Sequence, residues 1–477
     1  MDRQAIETYG VSGLELMRNA GRHAYRELRR EWPHARHVRV YCGTGNNGGD
    51  GYVIARAALA DGLAVTLHQL GDASSLRGDA ATVAEEFLAA GGVRSDPGPI
   101  PPTSDSVIVD ALFGTGLDRP LAGAWLQAVE EINAAGQPIL AVDIPSGLHG
   151  GRGQALGTAV QADVTVTFIA LKVGLFTGDG PACRGALRFH DLALPESLRT
   201  AASPVAWRYR HGNGSPRVPA RGVSAHKGDS GRLLIIGGNH GMGGAALLAG
   251  RGALRAGAGL VSVATRGAHV PALLAAQPEL MAHAIESGGL PDTLLDRADV
   301  AVAGPGLGQD TWARDLLASI AAADGPLVLD ADALNLLAAE PGLARPTIIT
   351  PHPGEAARLL ACSGADIQRD RLTAAARLSE RWQTVVVLKG AGTVVQVQGE
   401  LPWICDGGSP ALATGGTGDV LAGVIAALLA AGMAPGEAAR AAVAAHAEAG
   451  ERLAARHGLR GLVASDLPAG IRGLLQA

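Results

Sequence analysis

Gly43-Thr-Gly-Asn-Asn-Gly-Gly-Asp50 follows an apolar, strand-like run (Val38, Val40, Tyr41) and leads into a helical stretch from Tyr52 through Leu59. Gly43, Gly45 and Gly48 fit a G-x-G-x-x-G pattern, in which bare backbone lets a phosphate approach a helix N-terminus. Asn46, Asn47 and Asp50 make this turn unusually polar, which suits an ion or a sugar-like hydroxyl as well as a phosphate. Two more carboxylates recur where strands end. Asp110 closes Val-Ile-Val-Asp and precedes Ala111–Leu117, and Asp143 closes Leu-Ala-Val-Asp and precedes Ile144–Leu148. Ligands of open parallel sheets bind at the carboxyl ends of the strands. Asp50, Asp110 and Asp143 are therefore expected to converge on one crevice, where a cation or a substrate proton would relieve their repulsion. With hard oxygen donors only, that cation should be an alkali or alkaline-earth ion.

The second half of the chain carries different machinery. Gly237–Ala245 (Gly-Gly-Asn-His-Gly-Met-Gly-Gly-Ala) ends a strand and opens a helix, and Gly304-Pro-Gly-Leu-Gly308 supplies another close-approach turn. Thr414-Gly-Gly-Thr-Gly-Asp419 precedes an apolar helix, so the amides of Gly415, Gly416, Thr417 and Gly418 form an anion pocket. Asp419 on the first turn then lies within reach of a hydroxyl beside a bound phosphate. That arrangement suits phosphoryl transfer, the carboxylate taking the acceptor proton while the amides stabilise developing charge. Lys389-Gly-Ala-Gly-Thr393 and Thr350-Pro-His-Pro-Gly-Glu355 each follow a strand and fit the same nucleotide site. Asp330 and Asp332 are candidates to hold magnesium through water. No G-x-x-x-x-G-K-[ST] loop is present.

Elements that must position these groups read as two α/β halves. In the first, strands are expected at Val38–Cys42, Val65–Leu70, Ser106–Asp110, Ile139–Asp143 and Val164–Ile169. Helices fall at Gly51–Asp61, Arg77–Ala90 and Gly123–Ala135, behind an amphipathic helix from Leu14 to Arg30. Continuous apolar strands imply a parallel sheet covered on both faces. From about Arg208 to Lys227 the chain turns basic, Gly/Pro-rich and aperiodic, and reads as a linker. The second half is expected to place strands at Arg232–Gly237, Leu260–Ala264, Val300–Ala303, Leu327–Leu329, Thr347–Thr350, Val385–Leu388 and Val394–Val397. It closes with helices Asp419–Ala431 and Pro435–His457.

Length and composition agree. At 477 residues the chain exceeds one ordinary core. A charged fraction of 18%, a net charge of −5 and aromatics at 3% give no footing for nucleic-acid binding. Four scattered cysteines without a C-x-x-C pair argue against zinc and disulfides and fit a reducing, cytoplasmic setting. The N-terminal heptad Met1–Glu7 has no signal-peptide h-region. The apolar run Val420–Ala434 is too short to span a bilayer, so no membrane partner is expected. The apolar face of the N-terminal helix is a possible dimer surface, and a homo-oligomer is expected.

Asn-Asn-Gly-Gly-Asp-Gly, Asp-Ala-Leu-Phe-Gly-Thr-Gly and Val-Asp-Ile-Pro-Ser-Gly together resemble the NAD(P)H-hydrate epimerase domain, with Lys172-Val-Gly-Leu, Gly178 and Gly185 similar to a further part of it. The likeness covers about residues 1–210 and implies a Rossmann-like three-layer domain. By position, Asn47, Asp110 and Ser146 would hold potassium. Asn46, Asn47, Gly48, Gly49 and Asp50, with Gly114, Thr115, Gly116, Leu117, Asp118, Arg119 and Pro120, would line the hydrated nicotinamide nucleotide. Asp143 would contact it, and is also the candidate general acid/base. Gly244-Ala-Ala, Thr-Pro-His-Pro-Gly-Glu, Lys-Gly-Ala-Gly-Thr and Gly-Gly-Thr-Gly-Asp jointly resemble the ADP-dependent NAD(P)H-hydrate dehydratase of the ribokinase-like superfamily over about residues 218–477, with a linker expected at 211–227 and the domain at 228–477. That likeness implies that Ala245, Gly306, His352 and Asp419 bind the hydrate. Lys389, Gly390, Ala391, Gly392 and Thr393, with Gly418, would bind ADP, and magnesium would accompany it. The expected activity is repair, with R and S hydrates interconverted and the S form dehydrated at the expense of ADP.

Rival readings make different demands. A kinase of a vitamin precursor would use ATP and leave a stable phosphorylated product. A catalytically idle first half would make Asp143 dispensable. A redox dehydrogenase needs a ribose-binding acid closing the second strand, and none stands there.

Overall fold

The computed structural model describes residues 10–95, 105–195, 197–198, 202–321 and 325–476. The N-terminal heptad lies outside them. Contacts divide the chain into two compact units, 1–204 and 205–477.

The first unit is a seven-stranded sheet in the order β3-β2-β1-β4-β5-β6-β7, parallel at every pairing. Its strands are β1 (His37–Cys42), β2 (Ala64–Gln69), β3 (Arg94–Ser95), β4 (Ser106–Ala111), β5 (Ile139–Val142), β6 (Val164–Phe168) and β7 (Ala186–His190). Side chains on both faces are buried, as the continuous apolar runs require. Val38, Val40, Val107 and Val109 join one core layer, while Tyr41 and Ile108 join the other. Strand order reverses between β1 and β4, so a crevice opens beyond their carboxyl ends. The N-terminal helix Gly13–Glu31 buries Leu16, Met17, Ala20, Ala24 and Leu28 in its own unit's core, so this apolar face is covered within the unit.

One expectation is corrected here. The helix after β1 runs Asn46–Ala60, starting five residues before the expected Gly51, so Asn46–Asp50 are helical turns rather than loop. The early start rests on a backbone crossing that only glycine permits. A Cβ on Gly43 would lie 2.0 Å from the Leu112 carbonyl oxygen. Gly43→Ala should therefore lower stability by roughly 1–3 kcal/mol, measured as an earlier thermal unfolding transition.

The second unit is a ten-stranded sheet in the order β11-β10-β9-β12-β13-β14-β15-β16-β17-β8. It comprises β8 (Trp207–Tyr209), β9 (Arg232–Ile236), β10 (Leu260–Thr265), β11 (Leu280–Ala284), β12 (Val300–Ala303), β13 (Leu327–Leu329), β14 (Ile348–Ile349), β15 (Val385–Leu388), β16 (Val394–Gln396) and β17 (Trp403–Cys405). Pairing is parallel except on the two sides of β16. Trp207–Tyr209 is a strand of this sheet, paired with β17, although the sequence reads as linker from Arg208. Its order reverses at β9, between β10 and β12. The apolar run at 420 onward is the buried helix Thr417–Ala430. No helix among the described residues is long and apolar enough to cross a membrane. All four cysteines are free.

Candidate functional sites

In the first unit, a cavity of about 840 Å³ lies at the carboxyl ends of the strands. Among the expected ligand residues, Asn46, Asn47, Asp50, Gly114, Thr115, Gly116, Leu117 and Asp143 line it. Others do not. Gly48 and Gly49 are buried and face Gly43 and Met17, where a Cβ on either would collide. Asp118, Arg119 and Pro120 are exposed and are not part of the cavity wall.

Asp110 also departs from the expected convergence, because it lies fully buried rather than in the wall. Its Oδ1 accepts from the Ser146 hydroxyl at 2.6 Å and its Oδ2 from the Ser146 amide at 2.7 Å. The Phe113 amide in turn donates to Ser146 Oγ at 2.9 Å. Burial pushes the Asp110 carboxyl up to about 6, against the pull of these bonds. No lysine or arginine pairs with Asp110 among the described residues. Asn47 Nδ2 is buried without a hydrogen-bond partner. The Asp110 carboxylate and Ser146 hydroxyl are hard oxygen donors, and with the carboxamide oxygen of Asn47 they would suit an alkali or alkaline-earth ion.

Asp143 sits just past β5 in the left-handed region, φ 67°, and Ile169 just past the neighbouring β6 does the same at φ 65°. Such backbone costs of order 1–3 kcal/mol and clusters at functional sites. Asp143 forms an ion pair with Lys172, which also lines the cavity. Lys172 is the group whose role the sequence does not disclose, since its contact with Asp143 spans two strands.

In the second unit, Asp330, Thr350–Glu355 and Lys389 follow β13, β14 and β15 and meet around one ammonium. Lys389 Nζ contacts Asp330 Oδ1 at 2.7 Å and Glu355 Oε2 at 4.0 Å. Thr350 Oγ1 donates to Asp330 Oδ1 at 2.8 Å. Burial alone would lower the Lys389 pKa, but Asp330 and Glu355 outweigh it and the shift is upward. A Cβ on Gly418 would lie 3.2 Å from Lys389 Nζ, so the start of helix Thr417–Ala430 abuts this lysine. Gly416 caps that helix at φ 90°, which a non-glycine residue rarely adopts.

No side chain caps this helix, so Asp419 is not occupied as a capping residue. Burial, then the negative charges of Asp330, Asp332 and Glu355, push its carboxyl up to about 7, with Lys389 pulling the other way. His446 donates from Nε2 to the Thr417 carbonyl at 3.0 Å, and burial lowers its pKa to about 4, so it stays neutral. Arg371, buried and absent from the expected set, donates to the Leu388 and Lys389 carbonyls at 3.1 Å each. It thereby braces the turn Lys389–Thr393, which is the tip of the β15–β16 hairpin.

At the switch point of this sheet, Gly306 faces Ala245, 3.1 Å from where its Cβ would be, whereas Ala246 is buried in the core. Asp332 Oδ2 accepts from the Gly308 amide at 2.9 Å, tying the β12 turn to the β13 turn. His352 caps helix Pro353–Leu360, its Nδ1 accepting from the Gly354 amide at 3.0 Å. Its Nε2 lies 3.3 Å from Glu355 Oε1. Among the described residues no group of three or more His, Cys, Asp or Glu is placed to hold a metal. A magnesium ion here would be one carried by nucleotide phosphates, with a carboxylate or two beside it.

Two family models match the chain, one described as NAD(P)H-hydrate dehydratase over residues 233–472 and one as YjeF-related protein N-terminus over residues 13–174. The bifunctional NAD(P)H-hydrate repair enzyme Nnr of Escherichia coli (strain K12) is 46% identical over 466 residues, covering 98% of this chain and 90% of that protein. Its counterpart of the same name from Coxiella burnetii is 44% identical over 468 residues, covering 98% and 96%. A solved structure of the ADP/ATP-dependent NAD(P)H-hydrate dehydratase from Bacillus subtilis, co-crystallized with ATP/Mg2+, is 31% identical with a TM-score of 0.48. It covers 54% of this chain and 93% of that one.

Proposed function

The chain belongs to the bifunctional NAD(P)H-hydrate repair enzymes, and from that membership we propose that its first unit interconverts R and S hydrates while its second dehydrates the S form using ADP. The observation that carries the second half is Asp419, a carboxyl pushed up to about 7 by burial, on the first turn of a helix that no side chain caps, beside bare amides and Lys389. Water added across the nicotinamide ring leaves a hydroxyl at C6, next to the ring nitrogen. Hydroxide leaves poorly, and phosphate leaves well. Asp419 takes the hydroxyl proton as that oxygen bonds to the β-phosphorus of ADP and the bond to AMP breaks. The ring nitrogen's lone pair then expels phosphate, and loss of a C5 proton restores the double bond. The Gly415–Gly418 amides and Lys389 face the charge that develops on the phosphoryl oxygens. Ala245, Gly306 and His352 are assigned to the hydrate, and Lys389–Thr393 to the adenine nucleotide.

In the first unit, Asp143 moves the protons of epimerisation in a cavity lined by Asn46, Asn47 and Asp50. A potassium ion held by Asn47, Asp110 and Ser146 would balance the buried carboxylate and order the loop at Phe113. Only one C6 epimer directs its hydroxyl at the phosphate, so the other accumulates unless the first unit converts it.

The test is incubation of the full chain with ADP and a mixture of both hydrates, following dihydronicotinamide absorbance. Complete recovery is expected. Recovery that stops at the S fraction removes the epimerase reading, and no recovery with a stable phosphorylated product favours a kinase.

A further inference from the structure

We infer that Lys172 is a positioning residue for epimerisation, anchoring Asp143 by one carboxylate oxygen so that the other, Oδ2, is the atom that exchanges protons with the hydrate. This rests on the proposed epimerase reading and deepens it.

The hydrogen-bond geometry supports the assignment. Asp143 Oδ1 receives the Lys172 ammonium, the Thr167 hydroxyl at 3.3 Å and the Phe168 amide at 3.3 Å. Lys172 Nζ donates as well to Thr167 Oγ1 at 3.0 Å and to the Phe168 carbonyl at 2.8 Å. An ammonium has three N–H donors, and three acceptors here use them all. Lys172 therefore has no proton to offer a substrate and acts through the carboxylate it holds. Thr167 accepts from Lys172, so its single proton points to Asp143 as well. Among the described residues these donors converge on Oδ1, which leaves Oδ2 as the oxygen for the cavity that Asp143 and Lys172 both line.

Backbone conformation serves the same end. Asp143 and Ile169, at the ends of the paired strands β5 and β6, both adopt left-handed φ values. Asp143 N donates to the Val166 carbonyl of β6 at 2.7 Å and Ile169 N to the His190 carbonyl of β7 at 3.0 Å, so each turn is tied to the next strand of the sheet. The Ile169 turn brings Lys172 back over Phe168, where its side chain reaches Asp143. Two strained turns joined by one ion pair over-determine the direction of a single carboxylate, which is what proton transfer at a fixed site requires.

The experiment uses the full chain without ADP, so that only R-to-S interconversion is read, by chromatography. Lys172→Ala should lower kcat by about 100-fold or more while KM changes less than about threefold. Lys172→Arg should recover part of the loss. Ethylammonium added to Lys172→Ala should recover part too, and should do nothing for Asp143→Ala. A wild-type circular dichroism spectrum and thermal unfolding profile show that each variant is folded, and unchanged ADP-dependent dehydration of the S hydrate shows that the defect is confined to the first unit. A Lys172→Ala chain with near wild-type kcat, or one whose defect lies wholly in KM and ignores both arginine and the amine, overturns the inference. Failure of the unmodified chain to interconvert epimers overturns the epimerase reading and this inference together. Normal interconversion with an unaffected Lys172→Ala overturns the inference alone.

Discussion

Asp419→Asn should reduce ADP-dependent recovery of NAD(P)H by about 10²–10⁴-fold, the usual worth of a positioned general base, while ADP still binds. Asparagine keeps the shape and removes only the proton acceptor. The amides at Gly415–Gly418 and the Lys389 ammonium are untouched, so calorimetry should find ADP affinity within a few-fold of wild type. In the unsubstituted chain the base must be ionised to act. With its carboxyl pushed up to about 7 by burial and by Asp330, Asp332 and Glu355, kcat/KM should fall about tenfold per pH unit below 7 and level off above it. Stability should run the other way. A carboxyl whose folded value is raised binds more protons in the native than in the unfolded chain between the ordinary aspartate range and about 7. Stability is therefore lost as pH rises through that window. Asp419→Asn should relieve this, with a melting temperature above wild type at pH 8 and no gain at pH 4. A variant that is dead, melts higher in base and still binds ADP identifies a strained catalytic carboxylate. Retained activity at full rate would remove Asp419 from the mechanism.

Asp143→Ala should abolish R-to-S interconversion beyond the spontaneous rate, a loss of about 10²-fold or more, and leave dehydration of purified S hydrate unchanged. The separation follows from the chain's two compact units, each with its own sheet and core. Supplied with mixed hydrates and ADP, this variant should restore absorbance only up to the S fraction. An idle first unit predicts instead that Asp143→Ala behaves as wild type on the mixture.

Much of this was legible because strand ends announce themselves. Asp143 in the first unit and Lys389 in the second each close an apolar run, and a parallel sheet brings such ends to its own carboxyl rim, whereas Asp110 closes such a run and stays buried. Gly-Gly-Thr-Gly-Asp before an apolar helix likewise reads directly as amides at a helix N-terminus. What stayed hidden depends on partners distant in sequence. Asn46–Asp50 have poor helix propensity, and the helix starts there only because Gly43 and Gly48 allow the backbone to pass the Leu112 turn. Leu280–Ala284, Trp207–Tyr209 and Trp403–Cys405 are short strands at or near the sheet's edges, defined by pairing rather than composition. Gly48 and Gly49 carry the motif yet face the core, since on a helix successive residues point to different sides. The same periodicity puts Asn46, Asn47 and Asp50 at the cavity. Lys172 reaches Asp143 across 29 residues, and Arg371 braces Lys389 across 18. Neither contact has a local sequence signature.

The central claim is that the second unit converts a poor leaving group into phosphate. The most direct measurement is a product count with purified S hydrate and ADP, taking NAD(P)H, AMP and phosphate from one reaction. Equal amounts of all three, with no reaction when ADP is omitted, are expected. NAD(P)H formed without ADP, or ADP consumed into a phosphorylated product that persists without releasing phosphate, would contradict it.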